Sequence, residues 1–468
     1  MKEAIILFTK VPEVGAVKTR ISKYWGIFTA IDAYQLYNHL LRDTASVIQA
    51  VIRKRGSSTY ICYTPKEKQK NLKEALGSLS FYSTFMEQVG SDITERVRNA
   101  FQQVIDQGYD SVILIPGDHD DLDASTLSMA LDCLVSASNL RRPQLVIGPT
   151  HDGGAYLIGL NRYTDLNCIS NLDDSYRVCF NLIEYARTHA LPFKILDVKM
   201  DIDDVDDLLR VSLRRKKLNT ATERFLMSYP TPPSTNKYAL SIIIPTLNEE
   251  FWVRSALKSI DKDNHEVEVI LVDGGSEDNT LQAAANLVDK VVVLGKASRK
   301  MQENIGAFGA RGKILLFLHA DMVLQKRAVE EVIKSFQDKA VVAGSLDVFY
   351  DPPRTRYNFV KSVRLMISKI FNLHGVGAAF CVRRHLFYQL GGFDENCMEE
   401  GVALSQKLKK VGRLITVKAP VIVSARRFEK KGFIRTLILW ALTVLLTTLG
   451  FKNTWLEDRF WKTLNKKQ

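Results

Sequence analysis

Carboxylate and amide side chains follow three short β-branched runs in the second half of the chain. Asn248 and Glu249 come after the run SIIIP, Asp273 and Gly274 close the run VILVDG, and Asp321 comes shortly after the run ILLFL. Polar residues at the carboxyl ends of neighbouring parallel strands meet at one edge of a sheet, which is where α/β proteins bind nucleotides. Asp321 also offers the carboxylate oxygen that Mg²⁺ or Mn²⁺ prefers. The spacing therefore predicts nucleotide chemistry assisted by a divalent cation.

Three cations lie between the first apolar run of the chain and the first helical pattern. They are Lys10, Lys18 and Arg20, on a segment that Pro12 and Gly15 interrupt. Cations on a loop that leads into a helix can bind a triphosphate, with help from the positive end of the helix dipole. The pattern predicts a nucleotide site at the amino-terminal end, and plain surface charge is the alternative for Lys18 and Arg20.

Carboxylates also follow strand-like runs in the first half. Asp118 follows the run ILIPG, Asp152 and Gly153 follow GPTH, and Asp203 lies in the acidic run 201–207. Carboxylates from separate strand ends can hold the metal ions of a phosphoryl-transfer site, which predicts metal ligands at Asp118 and Asp203 and nucleotide contacts at Asp152 and Gly153. The alternative for the acidic run is that it caps the next helix.

The elements that would position these residues alternate between strand and helix patterns. Strands are predicted in the first half at 4–9, 58–63, 111–115 and 144–147, and in the second half at 240–244, 268–272, 290–294 and 314–318. Alternating β and α units favour mostly parallel sheets with helices on both faces. The fold class predicted is therefore α/β, with two Rossmann-like domains in tandem.

Composition places the chain among ordinary globular proteins. Its 468 residues are 46% hydrophobic and 25% charged, and its six cysteines have neither zinc-site spacing nor the density of a disulfide scaffold, which favours a cytoplasmic location. Residues 1–215 hold 25 Lys and Arg against 27 Asp and Glu, which leaves 39 against 25, a net charge of +14, in residues 216–468. A basic half suits a diphosphate substrate or an anionic membrane. Nucleic acid is not predicted as a partner, because basic and aromatic residues do not interleave and no nucleic-acid-binding motif is present.

The chain is predicted to divide into a first domain over 1–215, a proline-containing linker over 216–238, a second domain over 239–435 and a carboxyl-terminal helical segment over 436–468. Within that last segment, residues 436–451 carry no charge and follow a cluster of Lys and Arg. Sixteen residues fall short of the roughly 20 that a helix needs to cross a bilayer. The segment is either an interfacial or re-entrant helix, which would make the protein peripheral at the inner face of the membrane, or a buried core helix.

The three motifs of the second half together resemble the family 2 glycosyltransferases of GT-A fold over residues 239–435. More narrowly, they are similar to a bacterial subgroup associated with arsenosugar biosynthesis, in which the run SARRFEKKG also recurs. The resemblance implies a UDP- or GDP-linked sugar donor, with Asp273 near the base, Asn248 and Glu249 near the ribose and Asp321 on the Mg²⁺ or Mn²⁺ ion. The donor-binding residues that it implies are Pro245, Asn248, Glu249, Asp273, Gly274, Arg299, Gln302, Asn304 and Arg426.

The same resemblance implies a carboxylate that takes the proton of the acceptor hydroxyl. Here the sequence departs from the family, because Gly401 stands where the catalytic aspartate is expected. A shift of one residue places Glu399 and Glu400 on the acidic pair, which makes Glu400 and Glu399 the catalytic candidates. The alternative, motivated by Gly401 and Ala403, is that the second domain is a non-catalytic nucleotide-sugar-binding module.

The first half resembles a family of bacterial transferases related to the guanylyltransferases of cofactor biosynthesis. The motifs that carry the resemblance are Lys-Thr-Arg, Gly-Asp, Asp-Gly-Gly and Asp-x-Asp, in this order over about 1–212. It implies a GT-A-like sheet, a nucleoside triphosphate substrate and nucleotidyl transfer. His119 and His151 stand beside the aspartates of these motifs and are either metal ligands or hydrogen-bond partners.

Overall fold

The computed structural model covers the whole chain as two compact units. The first comprises residues 1–235 and 290–295, and the second comprises residues 236–289 and 296–468. The structure describes all residues except 25–27, 120, 174–175, 205–206, 209–210, 212–219, 227–237, 263–265, 296–297, 372, 375–378, 396, 398 and 449–468, and the side chains of 24, 367–371, 427, 430 and 431 are also not described.

The first unit is built on a seven-stranded sheet with the strand order β3-β2-β1-β4-β6-β5-β7. The strands are β1 (Glu3–Lys10), β2 (Ser58–Thr64), β3 (Ser83–Glu87), β4 (Ser111–Pro116), β5 (Leu145–Pro149), β6 (Ala155–Asn161) and β7 (Phe193–Ile195). Strands β1 to β4 pair in parallel, whereas β6 is antiparallel to both β4 and β5. The central strands are buried along nearly their whole length, because helices cover the sheet and the β-branched runs meet no water.

Helices flank this sheet at Thr19–Tyr24, Ala30–Arg55, Gln69–Leu76, Ile93–Asp106, Ala124–Asn139, Val178–Thr188 and Ala221–Leu226. The longest, Ala30–Arg55, begins with a capping box in which the Thr29 side chain accepts from Asp32 N and the Asp32 carboxylate accepts from Thr29 N. It ends at Gly56, whose φ of 73° is the left-handed conformation that glycine adopts without strain. These local signals fix both ends of a helix that packs along the sheet.

Part of the predicted linker, residues 216–238, is a helix rather than an extended segment. Residues Ala221–Leu226 form a helix, and the backbone N–H groups of Ala221 and Thr222 donate to the Asp43 carboxylate at 3.0 and 2.9 Å. Leu226 packs in an apolar cluster with Ile21 and Leu36 of the first unit. Apolar burial and a helix amino-terminal cap therefore outweigh the linker-like composition at this point. The proline-rich part of the predicted linker, 228–237, lies outside the described residues.

An eight-stranded sheet with the order β10-β9-β8-β11-β14-β13-β15-β12 runs through the second half of the chain. The strands are β8 (Tyr238–Thr246), β9 (Val267–Asp273), β10 (Lys290–Val293), β11 (Gly312–Phe317), β12 (Met322–Leu324), β13 (Val341–Asp351), β14 (Phe380–Arg383) and β15 (Arg413–Ser424). Strands β8, β9 and β11 pair in parallel, β14 is antiparallel to β11 and β13, and β12 is antiparallel to β15. The sheet is thus mixed, and its parallel part brings the carboxyl ends of β8, β9 and β11 to one edge.

Helices of the second half lie at Val253–Lys258, Thr280–Ala284, Arg299–Gly309, Ala328–Ser335, Thr355–Phe371, Arg384–Gln389, Glu400–Leu408, Arg426–Lys431 and Phe433–Thr448. The helix Arg299–Gly309 approaches β8 and β9 closely at Gly306, where an added Cβ would lie 2.4 Å from Ile243 and 2.9 Å from Val272. Among the described helices, none has the length and apolarity needed to cross a membrane.

All eight predicted strands are confirmed to within two residues, and the α/β class with two sheets is confirmed as well. Both sheets are mixed, with parallel strands at their centre and some antiparallel strands. The antiparallel strands β6, β12 and β14 are among those that the sequence patterns do not predict. These strands are short or follow a tight connection, so they carry little periodic signal of their own.

Candidate active site

Asp273 closes β9 and organises the turn that follows it. Its carboxylate accepts hydrogen bonds from the N–H groups of Gly275 at 3.0 Å and Ser276 at 2.8 Å, and from the hydroxyls of Thr246 at 3.2 Å and of Ser276. Burial raises the pKa of Asp273, although these hydrogen bonds oppose the shift. The side chain is fully buried, so in this conformation it holds the loop in place rather than facing a ligand.

The loop after β8 is tied to the loop after β9. Asn248 has a φ of 54°, its N–H donates to the Ser276 hydroxyl at 2.9 Å, and its Oδ1 accepts from Glu277 N at 2.8 Å. The N–H of Glu249 donates to the Thr280 hydroxyl at 2.7 Å. A left-handed residue that is not glycine costs conformational energy, which these bonds offset. The bond between the two loops uses the backbone of Glu249, and the Glu249 carboxylate instead contacts Arg426.

Arg426 joins carboxylates from two separate strand ends. Its guanidinium donates to both oxygens of Glu249, at 2.6 and 3.0 Å, and to Oδ2 of Asp321, from Nε at 3.2 Å. The Trp252 ring lies 5.4 Å from the guanidinium carbon. Burial tends to lower the pKa of Arg426, but the two carboxylates raise it overall. Three of the residues predicted to bind donor or metal thus meet in one contact, although Arg426 is 177 positions from Glu249 and 105 from Asp321 in sequence.

The chemistry of this group suits Mg²⁺ or Mn²⁺. Asp321 offers a carboxylate at a strand end, and magnesium in proteins is commonly held by one or two carboxylates together with substrate phosphates. The contacts of the Asp321 side chain with Arg426 are made through Oδ2. Asp321 would hold such an ion, which would supply positive charge to a diphosphate, as the Arg426 guanidinium also can.

Glu400 begins the helix Glu400–Leu408 and is buried against Arg299. The Arg299 guanidinium donates to Glu400 Oε1 at 2.6 Å, and among the described residues Glu400 Oε2 has no hydrogen-bond partner. Burial alone would raise the pKa of Glu400, but the charge of Arg299 outweighs it and leaves the pKa lowered. The carboxylate is therefore ionised at neutral pH, and its second oxygen, which is buried, carries no hydrogen bond from the described residues.

Glu399, the other catalytic candidate, caps the amino-terminal end of the same helix without a side-chain cap bond. Its Oε1 accepts from the Thr443 hydroxyl at 3.2 Å. Thr443 belongs to the helix Phe433–Thr448, so Glu399 attaches that helix to the candidate site. Of the two neighbouring glutamates, Glu400 is the one that faces the Arg299 guanidinium.

Gln302 and Asn304, two predicted donor ligands, make structural contacts in this conformation. Gln302 Nε2 donates to the backbone oxygens of Thr246 at 2.6 Å and Val272 at 2.8 Å, and so ties the ends of β8 and β9. Asn304 exchanges two hydrogen bonds with the backbone of Phe393, at 3.0 and 2.9 Å. Pro245 lies within β8 opposite Val272, and Gly274 donates its N–H to Thr246 O at 2.8 Å.

Two residues that the sequence analysis did not single out lie close to Glu400. Glu303 is 2% exposed, and its Oε1 lies 3.6 Å from His319 Nε2. Burial raises the pKa of Glu303, His319 opposes the shift, and the charge of Glu400 adds to it. The signals that could have found them are positional, because Glu303 lies between Gln302 and Asn304, and His319 is two residues before Asp321.

In the first unit, Lys18 lies between the two predicted metal ligands. Its Nζ is 2.7 Å from Asp118 Oδ2 and 3.1 Å from Asp203 Oδ1, and its side chain is 4% exposed. Burial would raise the pKa of Asp118, but Lys18 leaves it lowered. The structure thus brings three predicted residues together. A lysine ammonium occupies the position between the carboxylates, so a cation there would have to share or displace it.

The other predicted residues of this unit take separate positions. Lys10 and Arg20 are exposed, whereas Asp152 accepts from the Thr150 hydroxyl at 2.6 Å and from Gly154 N at 3.1 Å. Gly153 has a φ of 101°, which a residue with a Cβ could adopt only under strain.

His151, Asp201 and Asp207 form a compact group in which one ligand atom of each lies within 4.8 Å of the others. Burial and the neighbouring aspartates raise the pKa of Asp201 well above its usual value. The second predicted histidine, His119, is buried with its Nδ1 3.4 Å from Met200 O, which is a hydrogen-bond position rather than a metal position.

Comparisons with known proteins match each half to a different family. Residues 241–391 match the model of Glycosyl transferase family 2, and residues 47–175 match DUF2064, a family of uncharacterized proteins conserved in bacteria. The 4,4'-diaponeurosporenoate glycosyltransferase of Staphylococcus aureus strain N315 is 28% identical over 245 residues, which are 47% of this chain and 62% of that protein. The chain therefore spans less than two thirds of the length of this curated relative.

Solved structures also resemble parts of the chain. A crystal structure described as a nucleotide-diphospho-sugar transferase of Desulfovibrio desulfuricans G20 is 29% identical, with a TM-score of 0.42, over 49% of this chain and 95% of the other. The mannosyltransferase PcManGT of Pyrobaculum calidifontis, in complex with GDP-Man and Mn²⁺, is 19% identical, with a TM-score of 0.39, over 56% and 76% of the two chains. The family matches, taken by themselves, assign residues 241–391 to a glycosyl transferase family 2 domain and residues 47–175 to a DUF2064 domain.

Proposed function

We propose that this protein transfers a sugar from a UDP- or GDP-linked donor to an acceptor hydroxyl at the edge where β8, β9 and β11 end. The observation that carries the proposal is the contact of Arg426 with Glu249 and Asp321, which assembles predicted donor residues from three parts of the chain. The names of the relatives, a glycosyltransferase and a mannosyltransferase bound to GDP-Man and Mn²⁺, support a nucleotide-sugar donor.

In this reaction the acceptor oxygen forms a bond to the anomeric carbon while the bond from that carbon to the diphosphate breaks. The bonding electron pair leaves with the nucleoside diphosphate, and the proton of the acceptor passes to Glu400 Oε2. Arg299 keeps Glu400 ionised, and Arg426 stabilises the charge that grows on the diphosphate. A bound Mg²⁺ or Mn²⁺ at Asp321 would neutralise part of that same charge.

The competing proposal is that the second unit binds a nucleotide sugar without turning it over, because Gly401 and Ala403 stand where acids are expected. The two proposals are distinguished by release of UDP or GDP from a panel of nucleotide sugars with Mn²⁺. We expect Glu400→Gln to lower this release by about 10²- to 10⁴-fold, the usual contribution of a general base. The donor-induced thermal shift should stay, because glutamine keeps the size and the Arg299 contact of Glu400 and removes only its ability to take the proton.

Glu395→Gln, which changes an exposed glutamate five positions before Glu400 in sequence, is the matched control and should keep full activity. Unchanged release in Glu400→Gln would remove Glu400 from the mechanism. A donor-induced thermal shift without any release in the wild type would favour the binding module.

For the first unit we propose nucleotidyl transfer from a nucleoside triphosphate. The Lys18, Asp118 and Asp203 contact and the group of His151, Asp201 and Asp207 support it, since both combine carboxylates with basic groups near strand ends. We further propose a cytoplasmic protein that associates peripherally with the membrane through residues 436–451. We also propose that the two domains span residues 1–215 and 239–435.

A further inference from the structure

The helix Phe433–Thr448 has its polar and apolar faces reversed relative to a helix on a water-facing surface. Its threonines Thr436, Thr443 and Thr447 are only 4 to 5% exposed. Its aliphatic residues Ile434, Ile438, Leu442 and Leu445 are exposed by 71, 61, 39 and 55%. The aliphatic residues recur every three or four positions and therefore form one continuous stripe, which we call the aliphatic stripe.

The threonine face is packed against the protein and is not a loose surface. The Thr443 hydroxyl donates to Glu399 Oε1 at 3.2 Å, and Gln406 Nε2 donates to Thr448 O at 2.9 Å. Val444 is buried in a cluster with Val402. These contacts attach the helix to Glu400–Leu408, whose first residue is the candidate base. The orientation that leaves the aliphatic stripe outside is therefore held by specific hydrogen bonds.

The sequence that leads into the helix is basic, which suits an anionic surface. Arg427, Lys430 and Lys431 precede the helix in sequence, with Glu429 as the acidic residue among them, and Arg435 is exposed on its first turn. The apolar residues that follow include no acidic side chain up to Thr448. Basic residues beside an aliphatic face are the combination that binds anionic lipid, because apolar burial and attraction to the lipid headgroups act together.

We propose that the aliphatic stripe docks on an anionic lipid bilayer and that the acceptor hydroxyl belongs to an amphipathic molecule of that bilayer. The acceptor part rests on the glycosyl transfer proposed above. Docking through this helix brings the bilayer surface to one helix diameter, roughly 10 Å, from the helix that begins with Glu400. An amphipathic acceptor could then present its hydroxyl to the site without transfer through bulk water. An enzyme with a water-soluble acceptor would not need an exposed aliphatic face on this helix.

The docking part is tested by sedimentation of the full chain with vesicles of phosphatidylcholine containing 30% phosphatidylglycerol. The triple variant Ile434→Ser, Ile438→Ser, Leu445→Ser should lower the vesicle partition coefficient by about tenfold or more, because each change removes apolar area that the lipid would bury. Vesicles of phosphatidylcholine alone, or high salt, should weaken binding of the wild type. The matched control is Ile31→Ser, Val89→Ser, Met129→Ser, three residues of the first unit with 57, 52 and 50% exposure, and it should bind like the wild type.

Equal partition of the two triple variants would overturn the docking. A second result would also overturn it. If the wild type does not bind vesicles but forms dimers, and the stripe variant stays monomeric, the partner of the stripe is a second copy of the chain. Circular dichroism of both variants identifies any loss of folding, which we do not expect because the changed residues are exposed.

The acceptor part is tested with a radiolabelled nucleotide sugar and vesicles made from a total bacterial lipid extract. Label should pass into the organic phase, and the stripe variant should transfer about tenfold less at limiting vesicle concentration, while its release of nucleoside diphosphate without vesicles should match the wild type. Label that stays in water while vesicle binding persists would overturn the lipid acceptor alone. Vesicle binding without any nucleoside diphosphate release would instead count against the proposed function.

Discussion

Arg426 shows how one side chain decides the electrostatics of the candidate donor site. Glu249 and Asp321 would repel each other without a counter-ion, and the guanidinium contacts both at 2.6 to 3.2 Å. A divalent cation and a guanidinium stabilise the same two carboxylates, so they compete when no diphosphate is present and cooperate when a diphosphate bridges them.

Replacement of Arg426 by alanine should therefore change metal and donor affinity in opposite directions. We expect Mn²⁺ alone to bind at least about tenfold more tightly to Arg426→Ala, because a favourable charge contact of roughly 1.4 kcal/mol no longer has to be displaced. UDP or GDP should bind more weakly in the presence of Mn²⁺. Isothermal titration measures both, with Arg435→Ala as the control. A Mn²⁺ affinity equal to that of the wild type would show that the guanidinium does not compete with the ion.

His374 links two elements that support the candidate base. Its Nδ1 lies 3.1 Å from the Ser345 hydroxyl on β13, and its backbone N–H and C=O bond the Ser405 hydroxyl on the helix Glu400–Leu408 at 3.2 and 3.0 Å. Burial, with a smaller effect from the charge of Arg364, lowers the pKa of His374 to about 4. The folded protein therefore keeps this imidazole neutral well below the pH at which an unfolded chain protonates it.

This depressed pKa predicts a loss of stability in mild acid. The unfolded chain binds the proton near pH 6.5 and the folded one near pH 4, so stability present above pH 6.5 falls as the pH drops through this window, by up to about 3 kcal/mol. His374→Gln should have a flatter dependence, since glutamine can bond Ser345 and does not titrate. Urea unfolding from pH 7.5 to 4.5 measures the slope. His189→Gln, at an exposed histidine, should keep the slope of the wild type, and an unchanged slope in His374→Gln would refute the role of His374.

At the scale of the whole molecule, the chain consists of two units that each place carboxylates and a basic side chain at strand ends. In the first unit the basic residue is Lys18, and in the second it is Arg426. The two parts of the chain nevertheless differ in net charge, because the excess of Lys and Arg over Asp and Glu lies in residues 216–468. The two sites are therefore expected to respond to different ligands.

Hydrogen exchange of the full chain should separate these responses. A nucleotide sugar with Mn²⁺ should slow amide exchange at 246–250, 273–280 and 318–324, where the loops after β8, β9 and β11 lie, because binding stabilises these loops by mass action. Amides of residues 1–224 should exchange at the same rate with and without the ligand. Protection confined to the first unit would contradict the placement of the donor site.

The sequence by itself determined the strands that are long, β-branched and buried. An apolar run between turn residues predicts a buried parallel strand, and polar residues just after the run mark its carboxyl end. This pattern predicts β1, β2, β4, β8, β9 and β11. The grouping of Asn248, Glu249, Asp273 and Asp321 near one sheet edge followed from that rule. The antiparallel strands and the helix Ala221–Leu226 were missed, since pairing and packing with distant residues stabilise them.

Only the tertiary structure decided which charges meet. The contacts of Arg426 with Glu249, Arg299 with Glu400, and Lys18 with Asp203 join residues 177, 101 and 185 positions apart. No local pattern encodes such contacts, because the distance between two side chains depends on strand order and helix packing, not on their separation along the chain. The same holds for the aliphatic stripe, because the packing of the threonine face against the protein decides that the stripe is exposed.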